Sequence, residues 1–331
     1  LVPGKDVAEQ VIEFLGKKGR LDYDGRPIFG ISSTEFAESL IGISKDIEII
    51  PAHSWTPFFG ILGSKTGYDS VEECFEEKSK YIHAIETGMS SDPAMNWRIK
   101  NLDKYNLVSF SDIHSFWPWR FGREATLFDC NLDYKEIINA IRTGDGMEAT
   151  IETPPEYGKY HYDGHRTCNV VLAPEESNRV KKICNVCRKE LTIGVANRVE
   201  ELANFEEGRK KEDGKMFYKL VPLSELIASL HNIKQVASNK VWQEYDKLIK
   251  VFGNELNVLL NAEKDKIISS AGKGLAELIM LNRSGMIKIE PGYDGVYGKI
   301  ISDENNLFGK KLNQKENQKE VKPSQKSLSD F

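Results

Sequence analysis

Two groups of residues in this chain have the types and spacing to hold metal ions. The first is scattered. The run "IEIIPA" leads straight into His53, "YIHAIE" ends in Glu86, and "NLVSFS" is followed by Asp112 and His114. Each run is short and apolar and reads as a buried strand. In parallel α/β folds the carboxyl ends of the strands open on one face, where sites are built. Two imidazoles and two carboxylates converging there would suit Zn²⁺, Mn²⁺ or Fe²⁺. An ion so held acidifies a bound water and polarises a phosphoryl oxygen. His83 alternates with Ala84 and would join Glu86 only on an irregular strand, while Asp92 before Pro93 reads as a helix N-cap.

The second group is compact. Three of the five cysteines lie at 168, 184 and 187. His165-Arg-Thr-Cys168 and Cys184-Asn-Val-Cys187 form two pairs of the same spacing, the ligand set of a tetrahedral structural zinc. His161 is the alternative fourth ligand. An odd cysteine count in this arrangement argues for a metal site in a cytoplasmic protein rather than a disulfide framework. Cys74 and Cys130 sit in apolar periodic segments and read as core.

Beyond the strand-end donors, "WPWRFGREA" offers Arg120 and Arg123, which could grip phosphate oxygens. Trp117 and Trp119 could stack on an unpaired base. Equally, the arginines could pair with Glu124 or Asp129 and the tryptophans could pack the mouth of a barrel. Lys65, in the glycine-rich "FFGILGSKTGYDS", is a further phosphate candidate.

Positioning these residues requires alternating helices and strands up to about residue 155. Helices are expected over Asp6–Leu15, with Asp6 as N-cap, over Ser33–Ile43, capped by Ser33 or Thr34, and over residues 133–144, stopped by Gly144. Strands are expected at 47–52, 81–86, 106–111 and in "EATLFDC", giving a largely parallel α/β sheet, open or closed into a barrel. "TPPEYGKYHYDGHRTC" has no period and marks a boundary. Residues 218–300 read mostly as helices, including a Gly-Lys-Gly start that either packs closely or offers N–H groups to a phosphate. After Ser302 the composition turns to Lys, Gln, Asn, Glu and Ser, which predicts disorder. The net charge of −5 on 331 residues does not mark a nucleic-acid binder, so any such contact needs local basic patches. No run is long and apolar enough for a membrane span.

The segments "IPAHSWTP", "AIETGMSSDPAMNW" and "SFSDIHSFWPWRFGREA" resemble, in order, motifs of the PHP domain of polymerases and histidinol phosphatases. More narrowly, residues 20 to 300 resemble endonuclease Q, a DNA-repair enzyme that cuts on the 5′ side of deaminated bases such as uracil and hypoxanthine, or of abasic sites. The resemblance implies a PHP-type distorted (β/α) barrel over 1–157 and a zinc module over 158–212. A helical DNA-binding region over 213–301 and a disordered tail over 302–331 would follow. It also implies that His53, Glu86, Asp112 and His114 bind catalytic divalent metals (Zn, Mn or Mg), and that damaged DNA is the partner. The family's second knuckle usually carries glycine after its last cysteine. Here Arg188 stands there, which is expected to strain the turn.

PHP sites also use an amino-terminal His-x-His pair, and no histidine precedes His53. The chain, which opens on Leu1, is therefore expected to be truncated at its N-terminus, or else to be a non-catalytic remnant that binds DNA and a clamp. A small-molecule phosphoesterase is the other alternative. At the far end, Gln325, Leu328 and Phe331 in "SQKSLSDF" resemble the peptide that docks on sliding clamps.

Overall fold

The computed structural model describes residues 1–23, 27–117 and 120–301. Its first helix, α1 (Lys5–Lys18), has Gly4 and not Asp6 as N-cap, two residues earlier than the periodicity suggests. Helix α2 (Ser33–Ile43) is capped by Ser32, whose Oγ accepts from the Glu35 N–H at 3.1 Å. The serine one residue upstream of those expected holds the capping geometry, because it keeps the extended backbone that a cap needs. A short helix α3 (Val71–Phe75) follows.

The strands that bear the candidate donors are shorter than their apolar runs. "IEIIPA" is reduced to a single parallel bridge, Ile49 to Ile82. Strand β1 (Ala84–Glu86) pairs in parallel with β2 (Asn106–Val108), and α4 (Pro93–Asn96) lies between them in sequence. The Thr126 hydroxyl joins β2 to β3 (Ala125–Phe128), accepting from Ser109 N–H and donating to Ser109 O, both at 3.0 Å. Helix α5 (Tyr134–Thr143) runs from its Asp133 cap to Gly144 at φ 83°, the left-handed stop expected of that glycine. Strand β4 (Met147–Glu152) is antiparallel to β3 and buried almost throughout. The expected single sheet is therefore split: β1 and β2 form a two-stranded parallel sheet, and β3 and β4 belong to a second one. Ala37, Trp55, Leu62 and Ile85 anchor one core cluster, and Ala84, Val108, Ile141 and Met147 a second.

The next segment is held by polar pins more than by a core. Strands β5 (Asp163–His165) and β6 (Val170–Leu172) form a hairpin, followed by helices α6 (Pro174–Arg179) and α7 (Val195–Leu202). Its buried cluster contains just Val170, Cys184 and Leu191. So small a core needs a staple, and the four ligand residues lie around it. Arg198 on α7 fastens this segment to the first one by donating to Leu62 O, Tyr68 O and Asp69.

Strand β7 (Met216–Lys219) returns to pair in parallel with β4. Helices α8 (Leu223–Leu230), α9 (Asn239–Phe252), α10 (Glu255–Leu260), α11 (Lys264–Ala271) and α12 (Lys273–Arg283) then pack together. Gly274, at the start of α12, faces Leu230, where a Cβ would sit 3.3 Å from Cδ1. Asn282 is fully buried and brackets Val221, accepting from its N–H at 2.9 Å and donating to its carbonyl at 3.0 Å. The hairpin of β8 (Ile289–Glu290) and β9 (Lys299–Ile300) closes the described chain.

Candidate active site and candidate metal site

The end of β1 is stitched to the loop that carries His53. Ser54 N–H donates to Glu86 O at 3.1 Å, Glu86 N–H donates to Pro51 O at 3.1 Å, and His53 N–H donates to Glu86 Oε2 at 2.5 Å. Gly88 completes the fit. Its φ is 61°, and a Cβ there would lie 2.9 Å from both Cα and Cβ of His53. Two non-glycine residues at these strand ends have positive φ, His53 at 34° and Asp112 at 42°. Such backbone is disfavoured, and it is held by surrounding bonds most often where function requires it.

The imidazoles of His53 and His114 are turned alike. The Thr56 hydroxyl lies 3.0 Å from His53 Nδ1 and 3.1 Å from the His53 and Phe58 carbonyls. Donating to a carbonyl, it accepts from Nδ1–H. His114 Nδ1 lies 2.9 Å from Asp112 O, another acceptor. In both rings Nδ1 then carries the proton and Nε2 keeps a lone pair for a ligand bond.

Glu86 and His53 lie against one another, whereas Asp112 and His114 stand on an exposed loop, with Asp112 Oδ1 3.8 Å from His114 Nδ1. Among the described residues, the donors that converge within 4.8 Å of one another are those of the cysteine cluster, not these four. His83 is elsewhere, 2.9 Å from Glu48, a buried carboxylate that also takes Arg142 at 2.6 Å. Asp92 caps α4 by accepting from Met95 N–H at 2.8 Å, and it pairs with Lys219 at 2.7 Å.

Behind Glu86 lies a group of acids that the motifs did not reveal. Glu124 and Glu152 are buried, and Glu124 Oε2 makes no hydrogen bond. Burial, then the charge of Glu152, holds the Glu124 carboxyl well above the usual carboxylate range. Burial raises Glu152 to about 8 against the opposing bonds from Thr150, Thr87 and Ser109. Burial likewise raises Glu86, opposed first by the His53 N–H. Glu225, from α8, bonds to Tyr157 and feels Arg120 and Arg123. The rule that exposed Glu86, a carboxylate ending an apolar strand, also fits Glu152 at the end of "MEATIE". Glu124 and Glu225 carry no such local signal.

Arg123 donates through Nε to Ser111 O at 3.1 Å, and burial lowers its pKa. Arg120 is half-buried beside it, while Lys65 is exposed on its loop. Gly63 is required there because a Cβ would come 2.1 Å from Thr56 O. Trp117 is half-exposed. Trp119 and the peptide of Gln325, Leu328 and Phe331 lie outside the described residues.

The cysteine cluster is closed. One ligand atom from each of His165, Cys168, Cys184 and Cys187 lies within 4.8 Å of the others, and Cys187 Sγ is 3.3 Å from His165 Nδ1. A tetrahedral zinc with thiolates at 2.3 Å has edges of about 3.8 Å, so these donors fit it. Backbone N–H groups of Cys187 and Val186 point at Cys184 and lower its thiol to about 6. That is the environment a thiolate ligand needs. His165 rather than His161 is the fourth member, since His161 stacks on Tyr162 with ring centroids 5.1 Å apart. Arg188 has φ 64°, so the arginine does adopt the backbone for which glycine is suited. Cys74 is buried and Cys130 packs against the second core cluster.

Compared with solved structures, the chain superposes on the lesion-specific endonuclease PfuEndoQ from Pyrococcus furiosus with a TM-score of 0.81 and 28% identity, over 93% of this chain and 76% of that one. The chain is thus similar to endonuclease Q in both fold and sequence across nearly its whole length. A second family structure, endonuclease Q bound to a 27-mer duplex with an abasic lesion at its active site, matches with a TM-score of 0.80 and 29% identity, over 92% of this chain and 76% of that one. Residues 222–286 match the family described as the MJ0043 C-terminal domain, which places that domain on helices α8 to α12. Protein MJ0043 of Methanocaldococcus jannaschii is 33% identical over 74% of this chain, and YqxK of Bacillus subtilis is 29% identical over 82%. The chain spans 31% of the length of the first and 66% of the second. No helix among the described residues is long and apolar enough to cross a membrane.

Proposed function

We propose that this chain carries most of a metal-dependent DNA-repair endonuclease that cleaves the phosphodiester 5′ of deaminated bases or abasic sites. The observation that carries the reading is the likeness to endonuclease Q structures, one with a lesion duplex at its active site, across more than nine-tenths of this chain. In this reading residues 1–157 are the PHP-type barrel, and His53, Glu86, Asp112 and His114 hold catalytic Zn, Mn or Mg, completed by donors outside this set. The bound metals would supply an activated water and charge stabilisation at the phosphate. His53 and His114 present Nε2 for ligation, Glu86 fixes the His53 loop, and Arg120, Arg123 and Lys65 neutralise phosphates. The closed zinc site is structural and holds β5, β6 and α7 in place. The tail peptide ending in Phe331 would dock on a sliding clamp.

The test is incubation of the chain, and of a longer form with any upstream donors, with duplexes containing uracil, hypoxanthine or an abasic site in Mg²⁺, Mn²⁺ or Zn²⁺. Incision on the 5′ side of the lesion is expected. Absence of incision by both forms in every metal overturns the reading.

A further inference from the structure

Ser111, just before the candidate ligands Asp112 and His114, is pinned to residues 122–124. Ser111 Oγ donates to Glu124 O at 2.7 Å and accepts from Gly122 N–H at 2.9 Å, while Arg123 Nε donates to Ser111 O at 3.1 Å. Just beyond His114, the surface of Phe116 is 96% exposed, and Phe121 is 53% exposed. Phenylalanine is among the side chains that gain most from burial, so a ring left almost wholly in water marks a contact surface. The loop that follows His53 has the same character. Phe59 is 79% exposed, at φ 68°, held there by its N–H bond to Thr66 Oγ1 at 2.9 Å. Bulky residues rarely adopt that backbone.

The stem behind Phe116 is cationic: Arg123 is fixed by its Nε bond to Ser111 O, and burial and then the neighbouring Arg120 charge lower its proton affinity. An apolar tip on a guanidinium stem is complementary to a polymer with anionic edges and an apolar stacked interior. Resting on the endonuclease reading above, we propose that Phe116 is a wedge that enters the base stack beside the lesion and holds the duplex open while the damaged nucleotide is displaced. The arginines receive the flanking phosphates. Opening a paired stack costs free energy that an inserted aromatic ring recovers, whereas an already open strand needs no such help.

Binding in the absence of divalent metal separates the possibilities. Fluorescence anisotropy compares Phe116→Ala with the parent chain on one uracil sequence presented as a fully paired duplex and as a pre-melted bubble. On the paired duplex the variant should bind on the order of 10- to 100-fold more weakly, and on the bubble within about threefold of the parent. Phe116→Trp should restore duplex binding. Equal loss on both substrates, or no loss on either, overturns the wedge and leaves the endonuclease reading standing. A parent chain that shows no preference for lesion DNA overturns both. An unchanged melting temperature is expected for Phe116→Ala, since the ring is exposed, and loss of the fold would overturn its assignment to the surface.

Discussion

Glu86 accepts the backbone N–H of His53 through Oε2 at 2.5 Å, so one buried carboxylate fixes the loop that presents the imidazole. Glu86→Ala leaves that N–H unpaired and should lower stability by about 1–3 kcal/mol. Glu86→Gln keeps an acceptor oxygen while removing the charge. It should fold with near-parental stability yet lose about 10- to 100-fold in lesion incision. Urea unfolding and cleavage assays on both variants check the split. Equal stability losses in the two would refute a bracing role for Glu86.

The zinc segment should depend on its metal. Cys184→Ser removes the best-supported thiolate, and metal analysis should show the tightly bound zinc lost. Residues 160–194 should then become sensitive to protease, because Val170, Cys184 and Leu191 are too small a core to hold the segment. Retention of stoichiometric zinc by the variant would refute the ligand set.

Arg188 adopts φ 64°, a conformation glycine reaches without steric penalty. Arg188→Gly should therefore stabilise the protein by about 0.5–1 kcal/mol, the relief of strain exceeding the added flexibility of the unfolded chain. A raised melting temperature at unchanged zinc content is the expected result, measured by calorimetry.

Glu152 is buried with its pKa raised to about 8. The folded state therefore binds a proton that the unfolded state releases near pH 4.5. Stability from this group is present below that value and falls as pH rises through the window up to about 8. Glu152→Gln should flatten the fall, a difference on the order of a few kcal/mol across the window. Stability curves at pH 5 to 8.5 for parent and variant decide it, and parallel curves would show that Glu152 ionises normally.

Asn282 bridges both polar groups of Val221 in the helical region. Asn282→Leu keeps the volume but strands a buried N–H and a buried carbonyl, so a loss of about 2–4 kcal/mol is expected. Chemical denaturation measures it. A loss below about 0.5 kcal/mol would mean that the backbone finds other partners.

Local chemistry made part of this legible from the amino-acid order alone. The left-handed stop at Gly144, the Asp92 cap and the two knuckle pairs His165/Cys168 and Cys184/Cys187 each depend on residues a few positions apart, and the structure gathers the four knuckle side chains into one cluster that could hold a metal ion. The misplaced caps of α1 and α2 are errors of one or two residues, because several neighbouring side chains could serve. The strand at 47–52 shrank to one bridge since strand length is decided by the partner strand and not by apolar content.

His53, Glu86, Asp112 and His114 were legible as types at strand ends, but their mutual geometry was not. The bond from His53 N–H to Glu86 joins positions 33 residues apart, whereas each imidazole is oriented by a near neighbour, Thr56 for His53 and Asp112 for His114. Glu124 and Glu225 show the same limit. A carboxylate in sequence is ordinarily a solvated group, and only the packing of β3, β4 and α8 removes water from these and shifts their protons. The residue order determined which donors the chain possesses and how its turns, caps and zinc knuckles form. Tertiary structure decided which donors face one another and which are dry, because burial and field are properties of the packed whole.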